Sequence, residues 1–268
     1  MNEKPSNNPM PPPPVAGAID TRKPVEGAGG VDPALLAELV RREVRVALLD
    51  FFAKPASHPR QFNYERMAYA QATMDSAKFL INHMLGATDL VMSDALRQHA
   101  LEHCAVGGLV MEFGVFDGGS LKQIAGSTQQ DVHGFDSFEG LPEDWTHFQK
   151  KGRFSLGGVP PQLGGLKNVK LHKGWFQDTL PGFLAQHPGP ARFVHIDCDL
   201  YSSATTVLGL LAGRIVPGTV IVFDEYLNYP GWQEHECKAF AEFVARTGVK
   251  YKYLGFASGE FAVSVQIL

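Results

Sequence analysis

The nine residues EFGVFDGGS, Glu112 to Ser120, decide the fold. They close the apolar run Leu109–Phe113 with a glycine-rich turn and open a helical pattern. An apolar strand that ends in such a turn and enters a helix begins a βαβ unit. Downstream, short apolar runs recur between Gly-rich turns and helical stretches: Val132–Phe135, Val169–His172, Phe193–Ile196, Thr219–Phe223, Tyr251–Gly255 and Phe261–Ile267. Seven strands in five βα units and a final pair are expected. The helix of the fifth unit is expected over Gln233–Arg246, with Cys237, Phe240, Ala241 and Val244 on one face and Gly248 as its stop. Asp178 reads as a helix N-cap. The connection Ala257-Ser258-Gly259-Glu260 is too short for a crossover helix, so the last two strands must pair antiparallel. This is an α/β, Rossmann-like fold with a mostly parallel sheet and a terminal hairpin.

Upstream, residues 1–30 are rich in Pro and Gly, with four prolines from Pro11 to Pro14, and read as a disordered tail. Residues 31–104 read as N-terminal helices and residues 105–268 as the Rossmann-like domain. The first helix is expected from Asp32-Pro33, with Leu35, Leu36, Leu39, Val40, Val44 and Leu48 at helical spacing. It would cover the core or mediate an oligomer contact. Two more are expected over Tyr64–Met84 and Ser93–Cys104, and Thr73 and Met74 either pack there or belong to a lid.

Charge and cysteine usage narrow the class. The formal net charge is −4, with no dense Lys/Arg run, so nothing points to nucleic acid or a membrane surface. Arg41, Arg42 and Arg45, beside Glu38 and Glu43, read as a solvated helix face. Cys104, Cys198 and Cys237 are odd in number and widely spaced, which fits neither a disulfide framework nor a zinc site. With no signal-peptide core and no apolar stretch long enough to span a bilayer, a soluble cytoplasmic protein is expected.

The candidate site lies at the strand ends. The spacing Gly114-x-x-x-Gly118 is not GxGxxG, which disfavours NAD(P), where the second glycine makes room for a pyrophosphate. The loop suits a ligand with a carboxylate for the helix end near Ser120 and an ammonium for Glu112 or a nearby carbonyl. S-adenosylmethionine, which has no phosphate, is such a ligand. Asp136, 24 residues beyond Glu112, stands where a ribose-binding acid belongs, and Ser137 beside it is placed to contact the adenine. Gly174, Trp175 and Phe176 end the third strand, where an aromatic ring could wall off the adenine or simply join the core.

Asp197 and Asp199 end the fourth strand, and Asp224 and Glu225 end the fifth. Four carboxylates in one crevice repel unless a cation offsets them, and oxygen donors suit Mg²⁺ or a similar hard ion. His195, two residues before Asp197, reads as a hydrogen-bonded core residue. His235 is expected in the first turn of the following helix, either structural or within reach of a substrate as an alternative base.

Four segments, EFGVFDGGS, GFDSFEGLP, HIDCDLYSSATTVL and IVFDEYLNYPG, together resemble the macrocin O-methyltransferase family, over roughly Met74 to Phe243. The βα units with a terminal hairpin are likewise the layout of class I methyltransferases. The resemblance implies a metal-dependent enzyme that methylates sugar hydroxyls with S-adenosylmethionine, and a homo-oligomer. With the oxygen donors above, the expected function is S-adenosylmethionine- and Mg-dependent O-methylation of a small molecule or glycoside, at the hydroxyl of a sugar or other vicinal diol. The resemblance also implies Asp197 as a metal ligand, Asp199 as general base, and Asp224 and Glu225 completing the metal site. Two departures stand out: Glu225 replaces the family's usual second aspartate, and the segment Trp232 to Glu236 differs from sugar enzymes. Among rivals, a DxD glycosyltransferase leaves the glycine loop and Asp136 unexplained. An NAD(P) oxidoreductase conflicts with the glycine spacing and the hairpin, and a non-catalytic binding protein with the intact acids.

Overall fold

The computed structural model describes residues 64–146 and 149–268. The expected tail and first helix lie outside these residues. Eight strands form one sheet: β1 (Thr88–Asp89), β2 (Leu109–Phe113), β3 (Val132–Asp136), β4 (Val169–Lys173), β5 (Ala191–Ile196), β6 (Val220–Phe223), β7 (Tyr251–Phe256) and β8 (Val263–Ile267). Their order is β1-β7-β8-β6-β5-β2-β3-β4. The core pairs are parallel, whereas β8 runs antiparallel to both β6 and β7, as the four-residue connection requires.

The count of seven strands is corrected to eight. The additional strand, β1, is two exposed residues paired with Gly255 and Phe256 of β7, too short to carry an apolar pattern. A second correction concerns β3. No helix lies between β3 and β4 among the described residues; the chain crosses through turns, several with glycines at positive φ. Four of the five expected βα units therefore have their helix.

Helices cover both faces. On one face Val110, Val132, Phe193, Val220 and Val222 pack with Leu96 of α2 (Ser93–Glu102) and Leu121 and Ile124 of α3 (Gly119–Gly126). On the other, Met111, Phe113, Phe135, Val194, Ile196, Ile221 and Phe223 meet three more helices. These are α4 (Phe176–Gln186), α5 (Tyr201–Leu210) and α6 (Glu236–Thr247). The strict alternation of Val110/Met111 and Val220/Ile221 between the two clusters is the period-2 signature of a strand. Each fully buried side chain of this size contributes about 1.5–3 kcal/mol of hydrophobic stabilisation. The helix α1 (Tyr64–His83) sets Phe79 against Tyr226, Trp232 and Tyr253, with ring centroids 5.4–6.2 Å apart.

Two helix details differ from expectation. The stretch expected as one helix from Gln233 is a 3-10 turn, Trp232–Glu234, followed by α6 from Glu236. The buried residues of α6 are Glu236, Ala239, Phe240 and Phe243, while Ala241 is exposed, so the face is turned from the one expected. Gly248 does end the helix, in the left-handed conformation (φ 70°). Asp178 is not the N-cap of α4: Trp175 holds that position, and Asp178 lies in the first turn, where its charge favours the helix dipole. The three cysteines are unpaired, and no helix of the described residues is long and apolar enough to cross a membrane.

Candidate functional site

The carboxyl ends of β2, β3, β4, β5 and β6 open into one cavity of about 620 Å³, a volume suited to a small-molecule ligand. Of the residues singled out in the sequence, Gly114, Ser120, Asp136, Ser137, Gly174, Trp175, Phe176, Asp197, Asp199 and Glu225 line it. Glu112, Gly118, Asp224 and His235 do not. Gly118 is the left-handed residue (φ 81°) that caps α3.

The glycine loop is fixed by two contacts. Gly114 has φ 92°, and a Cβ there would lie 1.6 Å from the carbonyl oxygen of Asp197, so only glycine lets the ends of β2 and β5 approach this closely. Asp136 holds the loop from the other side. Its Oδ2 accepts the N–H groups of Val115 and Phe116 at 2.8 and 2.9 Å, and its Oδ1 accepts that of Phe138 at 2.7 Å. The carboxylate expected to face a ribose thus also clamps the turn. Phe116, beyond it, is 40% exposed and meets Phe154 edge-on at 5.6 Å on the cavity wall.

The acidic end is more crowded than the sequence indicated. Carboxylate oxygens of Asp197, Asp224 and Glu225 lie within 4.8 Å of one another. Asp199 is buried beside them, at φ 61°, a left-handed conformation that Asp tolerates better than most residues. Glu236 joins them from the first turn of α6, fully buried, its Oε2 accepting the Glu225 N–H at 3.1 Å. Burial, with Asp224 as neighbour, holds the Asp197 carboxyl well above the usual range. Burial, then Asp224 and Asp136, pushes Asp199 up to about 7. Burial and the surrounding acids raise Glu225 and Glu236 as well. Buried oxygens of Glu225 (Oε2) and Glu236 (Oε1) have no hydrogen-bond partner. Crowded carboxylate oxygens are chemically suited to a hard divalent cation, and those of Asp197, Asp224 and Glu225 lie close enough together to hold one.

Asp224 differs from its neighbours. Burial disfavours its charge, but His195 and Arg97 overrule this and lower its pKa. Arg97, from α2, reaches Oδ1 of Asp224 with Nη1 at 3.2 Å. His195, paired in register with Glu112 on the neighbouring strand, sits between two carboxylates: Nδ1 is 3.0 Å from Glu112 Oε1 and Nε2 is 3.4 Å from Asp224 Oδ1. Burial opposes a charge on the ring, yet the two carboxylates raise it to about 10. His195 is thus the hydrogen-bonded core residue expected, and its bonds run into the site.

His235 lies just ahead of α6, between the 3-10 turn and the helix, rather than within its first turn. Its ring packs against Trp145 and Tyr229 at 6.3 and 6.1 Å. Thr73 donates to Asn228 Oδ1 at 2.8 Å and Met74 is 59% exposed; neither lines the large cavity. Arg97 and Glu236 were missed by sequence reasoning. An Arg on an early helix and a Glu in a first helical turn are ordinary surface residues by local pattern, and only the tertiary fold brings them here.

Comparison with known proteins agrees with this geometry. A family profile described as a methyltransferase domain matches residues 111–226. The 8-demethyl-8-(2,3-dimethoxy-alpha-L-rhamnosyl)-tetracenomycin-C 4'-O-methyltransferase of Streptomyces olivaceus is 28% identical over 214 residues, covering 72% of this chain and 76% of that one. The calicheamicin methyltransferase CalS11 superposes with a TM-score of 0.52 at 22% identity, over 77% of this chain and 94% of the other. The O-methyltransferase NovP does so at 0.51 and 24%, over 65% and 78%. These two structures share the fold. The rhamnosyl enzyme and the domain match support the resemblance of the four sequence segments to the macrocin O-methyltransferase family.

Proposed function

We propose that the chain is an S-adenosylmethionine-dependent methyltransferase of class I fold that methylates a hydroxyl of a sugar or glycoside with the help of a divalent cation. The observation that carries the proposal is the single cavity in which the glycine loop and Asp136 face the carboxylates of β5 and β6. The relative from Streptomyces olivaceus is named for transfer to a rhamnosyl 4'-hydroxyl, which supports a sugar acceptor.

S-adenosylmethionine, when bound, supplies a methyl group on a positively charged sulfur. In the proposed assignment the N-terminus of α3, at Gly119 and Ser120, receives its carboxylate, Asp136 its ribose hydroxyls, and Ser137, Gly174, Trp175 and Phe176 wall the adenine. Glu112 acts from behind the loop, through Ser120, rather than from the cavity wall. Asp197, Asp224 and Glu225 hold a magnesium-like cation, whose chemistry is to make a nearby O–H more acidic. Asp199, buried on the cavity wall, would take the acceptor's hydroxyl proton. His235, outside the wall, is assigned to packing. Alignment of acceptor and donor in the cavity can contribute about 7–11 kcal/mol to lowering the barrier.

The test is binding and turnover in parallel. S-adenosylhomocysteine should bind wild type, Asp197→Ala and Asp199→Ala in the micromolar range by calorimetry. Methyl transfer to a deoxysugar glycoside should need Mg²⁺, stop with EDTA and be lost in both variants. Loss of S-adenosylhomocysteine binding in both variants would overturn this division of roles, and full turnover in EDTA would remove the cation. The proposal includes a cytoplasmic homo-oligomer, for which light scattering on the purified full chain is the check of assembly.

A further inference from the structure

A continuous run of hydrogen bonds, fully buried at its centre, links the glycine loop to Asp224 among the acids. Ser120 Oγ, on the cavity wall at the start of α3, donates to Glu112 Oε1. The same oxygen faces His195 Nδ1 at 3.0 Å, and His195 Nε2 faces Asp224 Oδ1 at 3.4 Å. Arg97 closes the far end: Nη1 bonds Asp224 Oδ1 at 3.2 Å and Nε bonds Gln123 Oε1 of α3 at 2.7 Å. The run therefore leaves α3 through Ser120 and returns to it through Gln123. Glu112 and His195 are both 0% exposed, so water cannot substitute for a broken link. With a carboxylate on each ring nitrogen, the His195 ring must donate at both ends, which fixes its orientation. Only Asp224 Oδ2 is left for another ligand, because Oδ1 already serves two donors.

We propose that this run makes Ser120, Glu112 and His195 positioning residues that couple binding at the glycine loop to binding of a divalent cation at Asp224. The coupling rests on the methyltransferase reading above. A cation on Oδ2 fixes the Asp224 carboxylate, which fixes His195, then Glu112, then the hydroxyl of Ser120 at the loop. A ligand on the loop orders the same bonds from the other end. Whichever binds first reduces the ordering left for the second, so the coupling is positive, and linkage makes it equal in both directions.

The experiment is calorimetric titration of the full chain with S-adenosylhomocysteine, with and without saturating Mg²⁺, and with MgCl₂, with and without S-adenosylhomocysteine. The thioether carries no sulfonium charge, so direct repulsion between the ligands is absent. Wild type should bind each ligand about fivefold or more tightly in the presence of the other, the lower end of usual coupling. Ser120→Ala should bring the ratio close to one for both ligands. His195→Gln should do the same if it folds; Ser120→Ala carries the test if it does not. Independent binding in wild type would overturn the coupling and leave the functional reading intact. So would an undiminished ratio in Ser120→Ala. Absence of binding of either ligand to folded wild type would overturn both.

Discussion

Replacing Gly114 with alanine should damage both the fold and the site, by an amount the backbone geometry sets. The new Cβ would stand 1.6 Å from the Asp197 carbonyl oxygen and 2.6 Å from its carbon, where about 3.0 Å is the closest approach a real Cβ makes. The ends of β2 and β5 must therefore separate by about 1.4 Å, and neither contact is a side chain that could turn away. That separation stretches the Asp197 N–H bond to Phe113 O, now 2.9 Å, and on the other side of β2 crowds the Gly114 N–H bond to Phe135 O, now 3.0 Å. Alanine at φ 92° adds about 1–2 kcal/mol of backbone cost. Overpacking a close contact adds about 1–3 kcal/mol. A loss of about 2–5 kcal/mol should lower Tm by roughly 5–15 °C in a domain of this size. Because Asp197 moves with the strand end, turnover should fall about 100-fold even below Tm. Thermal denaturation by circular dichroism and a methyl-transfer assay at 20 °C read the two effects. Gly182→Ala is the control: that glycine lies inside α4 with open space around it, and alanine there should stabilise by about 0.5–1 kcal/mol. A Gly114→Ala protein with wild-type Tm and turnover would refute the close-approach argument.

Three further outcomes are expected. Asp136→Ala strips three N–H groups of the loop of their acceptor, each bond to a charged group being worth about 1.5–3 kcal/mol, so S-adenosylhomocysteine should bind at least tenfold more weakly by calorimetry. Phe240→Ala empties a site that is fully buried between Phe223, Phe243 and Tyr251, and should cost about 3–5 kcal/mol in urea denaturation. Burial, then His172 and His187, depresses His133 from 6.5 to about 4. The unfolded chain then takes up a proton that the folded chain refuses, so stability is full above pH 6.5 and declines as pH falls towards 4. Tm measured between pH 7.5 and 5 should fall less steeply in His133→Gln than in wild type.

The sequence made the central sheet legible because Val110, Val132, Phe193 and Val220 belong to apolar runs too short for helices and bounded by glycine turns. The antiparallel end followed from loop length alone. Thr88–Asp89 escaped because two exposed residues have no period. The β3–β4 crossing escaped because a helix is the common solution there, and nothing local says that turns replace it. The acids at the ends of β5 and β6 were legible as strand-end residues. Their governing partners were not: Glu112 and His195 meet only through register between strands 83 residues apart, and Arg97 reaches Asp224 across 127. Long-range pairing of this kind is invisible to any window of sequence.

The place of β8 bears on how the chain is made. It is the last of the eight strands to leave the ribosome, yet it lies between β6 and β7, bonded to both. Until residue 267 emerges, β6 presents an open edge and the Val263, Val265 and Ile267 side chains are missing from the core. Until β8 is made the nascent sheet is incomplete, with apolar surface exposed to chaperones or to neighbouring nascent chains. Slow translation of this stretch should reduce yield more than equal slowing near β2, since it prolongs the interval in which β6 is an open edge.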